Sequence, residues 1–323
     1  MRLEARLISS LFLNTTKSAV NLFIIILMAR KLGPEQYGAF SLILAIVLAF
    51  RSSLDFGVQS GVLTYFSRYP IGIKHFMLIK IWNIIQFCIF ISVINILSLL
   101  LPDTHFLSLI PKSSWLIVGA MVFMQYGGFV AGQQIMESLS LTRTHLFINN
   151  FCSVMVLFGV YFFIDNYSKF GVLAFLVYLL GDFLITYKIL QHPDTSIEKE
   201  GALEVLKTIF KFYKSFCGPL VLLGFASLAF EYIDRLIINN FAQTENQGYY
   251  SLAFQFSMIC LLLVTSLLKP LWVDFALLDE QKKNDELKIV VAKYVLLIVT
   301  IVLLISQFLI VNLDIFLIQI LGE

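Results

Sequence analysis

The chain is poor in charge: only 14% of its 323 residues are Asp, Glu, Lys or Arg, too few to clothe a water-soluble globule of this size. It is also poor in the residues that carry most enzyme chemistry. Its four cysteines, Cys88, Cys152, Cys217 and Cys260, lie far apart, each in or beside an apolar run. That spacing fits neither a disulfide framework nor a zinc set, so they read as small core hydrophobes. Four histidines, His75, His105, His145 and His192, are scattered over loops and helix edges. No His-Cys-carboxylate cluster, phosphate-binding Walker loop or G-x-S-x-G elbow is present, so nothing in the sequence points to ATP hydrolysis or hydrolytic catalysis. No cofactor and no nucleic-acid partner is expected.

What fills the chain is apolar sequence. Hydrophobic residues make up 59% and aromatic residues 15%, and mean hydropathy is +0.87. Nine long apolar runs can be read, at 9–29, 39–61, 76–101, 115–135, 146–164, 170–190, 217–239, 249–273 and 290–311. About 20 residues rising about 1.5 Å each cross the roughly 30 Å hydrocarbon core. Backbone groups in lipid must be satisfied within the segment, and these runs are too long for barrel strands. The expected fold is an all-α polytopic membrane protein. With the N-terminus in the cytoplasm, inside segments hold 16 of the 23 Lys and Arg residues and outside loops hold 4: Arg30, Lys31, Lys112 and Lys169. The first run follows "MRLEAR" without a small-residue cleavage signal and is read as a retained helix.

The turn "ARKLGPEQYGAFSL" at 29–42 has a second, worn copy in "AQTENQGYYSL" at 242–252. A shift of 210 residues puts Glu35 on Glu245, Gly38 on Gly248, Phe40 on Tyr250, Ser41 on Ser251 and Leu42 on Leu252. The runs shift with it: 9–29 lands near 217–239, 39–61 near 249–273 and 76–101 near 290–311. One repeat therefore holds six helices, and an even number gives both halves the same orientation. Such a parallel repeat is a common build of secondary transporters, with the substrate path between the halves. Locally, Pro34 cannot continue a helix, and Gly33 and Gly38 permit a reversal. "YGGFVAG" at 126–132 contains Gly128-x-x-x-Gly132, which in an apolar run marks close helix packing.

"ARKLGPEQYGAFSL" after the first run, "SSLDFGVQSGV" in the second and "DRLIINNFAQTENQGYYSLAFQF" at the seventh resemble the polysaccharide-exporter branch of the multidrug/oligosaccharidyl-lipid/polysaccharide superfamily. This branch comprises the O-antigen and lipid-linked oligosaccharide flippases. The resemblance covers most of residues 1–275 and is silent on the sugar. It implies a bacterial inner-membrane carrier that moves an undecaprenyl-pyrophosphate-linked oligosaccharide to the outer leaflet, with twelve helices in two six-helix lobes around a cavity. Partners it implies are the lipid-linked oligosaccharide, membrane lipids and polysaccharide-assembly proteins. Two repeats predict a chain near 420 residues by the 210-residue shift, so the second lobe is expected to be truncated after its third helix, as a fragment or as a chain that works with a partner. The domain expectation is a six-helix lobe at 1–190, a cytoplasmic linker at 191–216 and a partial lobe at 217–323. Within the linker, Val205, Ile209, Phe212 and Phe216 would share one face of a helix opposite Lys207, Lys211 and Lys214, which suits a helix lying on the cytoplasmic leaflet.

Polar residues inside membrane helices normally face a cavity or a partner. In the first run Ser10, Asn14, Lys17 and Asn21 recur at helical spacing. In the second, Arg51, Asp55 and Gln59 follow at i, i+4 and i+8; in the seventh, Ser227, Glu231, Asp234 and Arg235 share a face. In the resembling family, helices one, two and seven line the cleft between the lobes. The substrate-binding candidates are therefore Asn14, Lys17, Asn21, Arg51, Asp55, Gln59, Glu231, Asp234 and Arg235. Lys17 and Arg51 would pair with pyrophosphate oxygens, Arg51 bidentately, while Asn14, Asn21 and Gln59 would bond sugar hydroxyls. Asp55 is the candidate for a coupling proton or Na+. The structural alternative makes Arg51–Asp55 and Glu231–Arg235 neutralised intrahelical pairs, with Arg235 snorkelling to the surface. Two other functions compete. A cation-coupled multidrug exporter of the same superfamily would favour an acidic, aromatic cavity, against which Lys17 and Arg51 argue. A membrane glycosyltransferase or polymerase of the same pathway would need a large extramembrane loop, and the outside loops here are short.

Overall fold

The computed structural model describes residues 3–55, 73–100, 111–139, 141–192, 207, 233–235, 237–238, 241, 244–255, 257 and 284–311. Among these residues there are helices and turns but no strand. Helix α1, Leu3–Asp55, is broken at Gly33 (φ 71°, ψ 169°), directly before Pro34. A positive φ costs glycine nothing, and Pro34 has no amide hydrogen to carry the helix across the junction. The α1 stretch suited to a bilayer, Phe12–Asp55, has 44 residues. As a continuous helix it would be about 66 Å long, twice a hydrocarbon core, so the break divides it into two spans.

The remaining elements are α2 (Ile73–Leu100), α3 (Lys112–Phe123), a π-helical segment (Met124–Phe129), α4 (Val130–Ser138), α5 (Thr142–Phe163), α6 (Tyr167–Leu190) and α7 (Asn284–Val311). Five helices among the described residues are long and apolar enough to cross a membrane. Their exposed side chains are those of a lipid-facing surface: Leu99, Phe147, Phe158, Leu176 and Phe183 are all more than half exposed. The protein is an all-α polytopic membrane protein. The expected seventh and eighth runs lie mostly outside the described residues, as does the linker apart from Lys207, which is helical and exposed.

Contacts divide the chain into two compact units, residues 31–251 and residues 1–30 with 252–323. In the larger unit an aromatic cluster joins α1, α2 and α3. Phe90 stands edge-on to Phe50 at 5.4 Å and meets Phe123 at 5.6 Å, and Phe87 meets Phe123 at 5.5 Å. Small residues let α6 approach its neighbours. A Cβ at Gly132 would fall 2.7 Å from the Ile185 methyl, and one at Gly181 would fall 2.5 Å from the Phe129 ring. Gly128-x-x-x-Gly132 is thus a packing face, as the spacing indicates. Cys152 is a buried free thiol against Gly181 and Cys88 is an exposed one.

The larger unit also brings the two copies of the turn together. A Cβ on Gly38 would lie 2.1 Å from the Thr244 carbonyl oxygen, and one on Gly248 would lie 2.3 Å from the Pro34 carbonyl oxygen. Only hydrogen fits at either position. One turn along, the buried Ser251 hydroxyl donates to Ser41 at 2.8 Å, and Ser41 donates to the Gly38 carbonyl at 2.9 Å. The Gln247 amide donates to Ser251 at 3.3 Å. Gly meets Gly and Ser meets Ser, each pair 210 residues apart.

Between α5 and α6, Asn166 caps α6 by accepting the Ser168 amide at 2.9 Å. Beside it the Lys169 ammonium donates to the Asp165 carboxylate at 2.7 Å. That hydrogen bond holds the Asp165 carboxyl below the usual carboxylate range. A depressed folded-state pKa contributes stability above the unfolded pKa, lost as pH falls through the folded one. Both groups face solvent, so the contribution is small. Asp165→Asn is expected to leave the thermal midpoint in detergent unchanged between pH 5 and 8; a shift of several degrees would mean that the pair anchors the α5–α6 turn.

Candidate functional site

The site grows from the second arm of α1. Arg51 is buried, 5% exposed, in a helix whose other buried residues are mostly apolar. Its Nη2 donates to the Tyr126 carbonyl at 3.3 Å and lies 3.5 Å from Asp55 Oδ1, a long contact for an ion pair. The guanidinium stands over the Tyr126 ring, 5.6 Å from its centroid. Its Nε is buried with no hydrogen-bond partner among the described residues. A buried cation held by one carboxylate, one carbonyl and one ring keeps donor capacity for an anionic oxygen.

The Tyr126 carbonyl can accept from Arg51 because the third span is not a regular α-helix. In the π-helical turn at Met124–Phe129 bonds run to the fifth residue, which releases carbonyls from the normal ladder. Side chains from neighbouring helices answer them: Arg51 takes Tyr126, and Asn83 Nδ2 donates to the Phe123 carbonyl at 3.2 Å.

Asn83 belongs to a polar stripe on α2 that sequence reasoning missed. Lys80, Asn83 and Gln86 recur every third residue, within a third of the helix circumference. Gln86, 1% exposed, donates to the Leu54 carbonyl of α1 at 2.8 Å. Lys80 is ion-paired and hydrogen-bonded to Asp182 of α6 and stands over the Phe76 ring at 5.0 Å. Three side chains of one helix thus reach α1, the end of α3 and α6. The signal is present in "KIWNIIQ" at 80–86 and in the single acid of "LLGDFLIT". Lys80 lies two turns inside α2.

The other sequence candidates separate. Asn14, Lys17 and Asn21 lie half-buried on the first arm of α1, in the smaller unit, where the Ser18 hydroxyl donates to the Asn14 carbonyl at 3.0 Å. Asp234 accepts the Arg235 amide at 2.7 Å and the Tyr250 hydroxyl. Arg235 is buried, 5% exposed, and its charge acts on the Tyr37 and Tyr250 hydroxyls, beside the crossing of the two turns. Tyr37 and Arg51 lie about 21 Å apart along α1, so Arg51 and Arg235 serve different places in the larger unit. Gln59, Ser227 and Glu231 lie outside the described residues.

Residues 5–272 match the family of polysaccharide biosynthesis proteins. The chain belongs to that family. A search of the curated proteins finds no match. The family match takes in both turns, Arg51–Asp55, the α2 stripe, Asp182 and the Asp234–Arg235 pair. Membership joins a multi-pass helical membrane protein to polysaccharide biosynthesis, and a buried arginine in a membrane span is its chemically distinctive feature.

Proposed function

We propose that the chain is a carrier rather than an enzyme: a flippase that moves an undecaprenyl-pyrophosphate-linked oligosaccharide, such as an O-antigen or capsule unit, across the bacterial inner membrane. The observation that carries this reading is Arg51, buried in a membrane span with a donor unanswered, within a polysaccharide biosynthesis family. A sugar-lipid pyrophosphate supplies the anionic oxygens such a fork takes in low dielectric, where a charged hydrogen bond contributes about 1.5–3 kcal/mol. Lys17 is a further candidate for phosphate, Asn14, Asn21 and Gln59 are candidates for sugar hydroxyls, and Glu231, Asp234 and Arg235 are further candidates for binding substrate. The lobes are residues 1–190 and 217–323, related by the 210-residue repeat, which the Gly38–Gly248 and Ser41–Ser251 contacts support. The N-terminus is cytoplasmic, and H+ or Na+ is the coupling ion.

Depleting the protein in its host tests this. Lipid-linked oligosaccharide should accumulate on the inner leaflet while outer-leaflet sugar falls, and the protein should restore both when returned. Unchanged leaflet distribution with lost efflux of cationic drugs would replace the reading with a multidrug exporter. Loss of the oligosaccharide-lipid itself would replace it with an enzyme of assembly.

A further inference from the structure

We propose that the groove along the first turns of α6 binds one anionic phospholipid, with an acyl chain in the groove and the phosphate between Lys31 and Lys169. The groove has a volume of about 560 Å³, within the roughly 300–1,000 Å³ of small-ligand sites. Its floor is a stripe of α6 in which Val172, Leu173 and Leu176 follow Lys169 at helical spacing. Ile117 of α3 and Ile164, just past α5, complete the apolar lining. Close packing holds the walls: a Cβ at Gly171 would lie 2.6 Å from the Ile117 methyl, and one at Gly159 would lie 2.2 Å from a Leu173 methyl. Val172 and Leu176 are half-exposed, so the groove opens on a lipid-facing surface.

Depth and polarity select a lipid chain. From Lys169 to Leu176 the stripe runs about 10 Å along α6, within the roughly 15 Å of hydrocarbon that one leaflet provides. The polar members of the lining, Ser168 and Lys169, both belong to the first turn of α6, so the rest of the groove offers a sugar nothing to bond. Exposed Tyr161 lies beside that end, where aromatic and basic side chains mark the passage from hydrocarbon to headgroups.

Charge at the mouth selects an anionic headgroup. The Lys31 ammonium donates to the Tyr161 carbonyl and stands over the Tyr161 ring, 5.8 Å from its centroid. It also acts on the Asp165 carboxylate, to which Lys169 donates at 2.7 Å. Two cations therefore share one acid, and a phosphate answers the surplus. The Lys169–Asp165 pair does not stand in its way: both side chains are exposed, and such a pair exchanges partners at little cost. A zwitterionic headgroup brings its own cation to the same mouth and gains less. The site does not depend on the flippase reading.

The full chain, stripped of lipid in a mild detergent, is titrated with dioleoyl phosphatidylglycerol or dioleoyl phosphatidylcholine, and bound lipid is counted by native mass spectrometry. One phosphatidylglycerol should be retained, about tenfold more tightly than phosphatidylcholine. Lys31→Ala with Lys169→Ala should remove the preference, and Lys31→Arg with Lys169→Arg should keep it. Val172→Trp and Leu176→Trp fill the groove from half-exposed positions. Each should weaken retention of both lipids severalfold while leaving the lipid-free thermal midpoint unchanged. Equal binding of the two lipids, or retention untouched by the filling variants, overturns the proposal and leaves only lipid of the surrounding annulus. Displacement of phosphatidylglycerol by undecaprenyl phosphate at equal concentration overturns it in favour of a polyprenyl carrier. A dimer of the chain that Leu176→Trp abolishes overturns it in favour of a second copy.

Discussion

Arg51→Glu is expected to abolish export of the lipid-linked oligosaccharide while leaving the amount of protein in the membrane near normal. The substitution places a carboxylate against the Asp55 carboxylate and the Tyr126 carbonyl, where Arg51 now donates. Removing one partner of a buried pair costs about 3–5 kcal/mol, and some of that loss can be relieved by protonation of the new acid. The loss that decides function is the anion site, which becomes repulsive. Arg51→Lys should keep partial activity, reduced about tenfold: the charge survives, but the planar fork and its stacking on Tyr126 do not. The exchange of Arg51→Asp with Asp55→Arg separates the two roles. A purely structural pair would recover in the double variant. A substrate cation would not, because the phosphate then meets an anion at position 51. Outer-leaflet sugar, measured in the singles and the double at matched protein levels, distinguishes them, and recovery would remove Arg51 from the site.

The second large effect is expected at the crossing of the turns. Gly38→Ala puts a methyl group where the Thr244 carbonyl oxygen stands, and Gly248→Ala puts one on that of Pro34. Neither obstacle is the end of a flexible side chain, so backbone must move. Overpacking typically costs about 1–3 kcal/mol, and an obstacle made of backbone belongs at the upper end. Parting the segments also breaks the chain of hydrogen bonds from Gln247 through Ser251 and Ser41 to the Gly38 carbonyl. Each single variant should lower the thermal midpoint in detergent by several degrees. The double variant should cost clearly less than twice a single, because both methyl groups open the same contact. Additive costs would show that the two glycines act separately. Ser41→Ala should be milder, since it leaves one buried hydroxyl to find another acceptor.

The helices were legible because lipid imposes one rule, long apolar runs, and α2, α5, α6 and α7 follow it closely. The break at Gly33 and the packing face at Gly128 and Gly132 were legible too, since glycine and proline act through local backbone geometry. The π-helical turn was not. "MQYGGF" carries no local pattern that announces it, and the side chains that meet the carbonyls there, Arg51 at Tyr126 and Asn83 at Phe123, come from other helices. The i+4 spacing gave Arg51–Asp55 from sequence alone, whereas Lys80–Asp182 joins positions 102 residues apart and required the fold. Arg235 carried the converse lesson. Its charge within an apolar run is visible in the sequence, but its place beside the crossing, with Tyr37 and Tyr250 near it, comes only from the packing of residues 244–251 on residues 34–41.

The Gly38–Gly248 crossing with its Ser41–Ser251 bond is a self-complementary contact, the same patch meeting its own duplicate. Two-fold interfaces of homodimers have this property. A single six-helix repeat bearing Gly38 and Ser41 would already own both sides of the contact and would associate with a second copy of itself in parallel. The copies differ around that point: Phe40 corresponds to Tyr250 in the repeat, and Tyr37 to Gln247. Gly38 with Gly248 and Ser41 with Ser251 are identical pairs of the repeat that meet there.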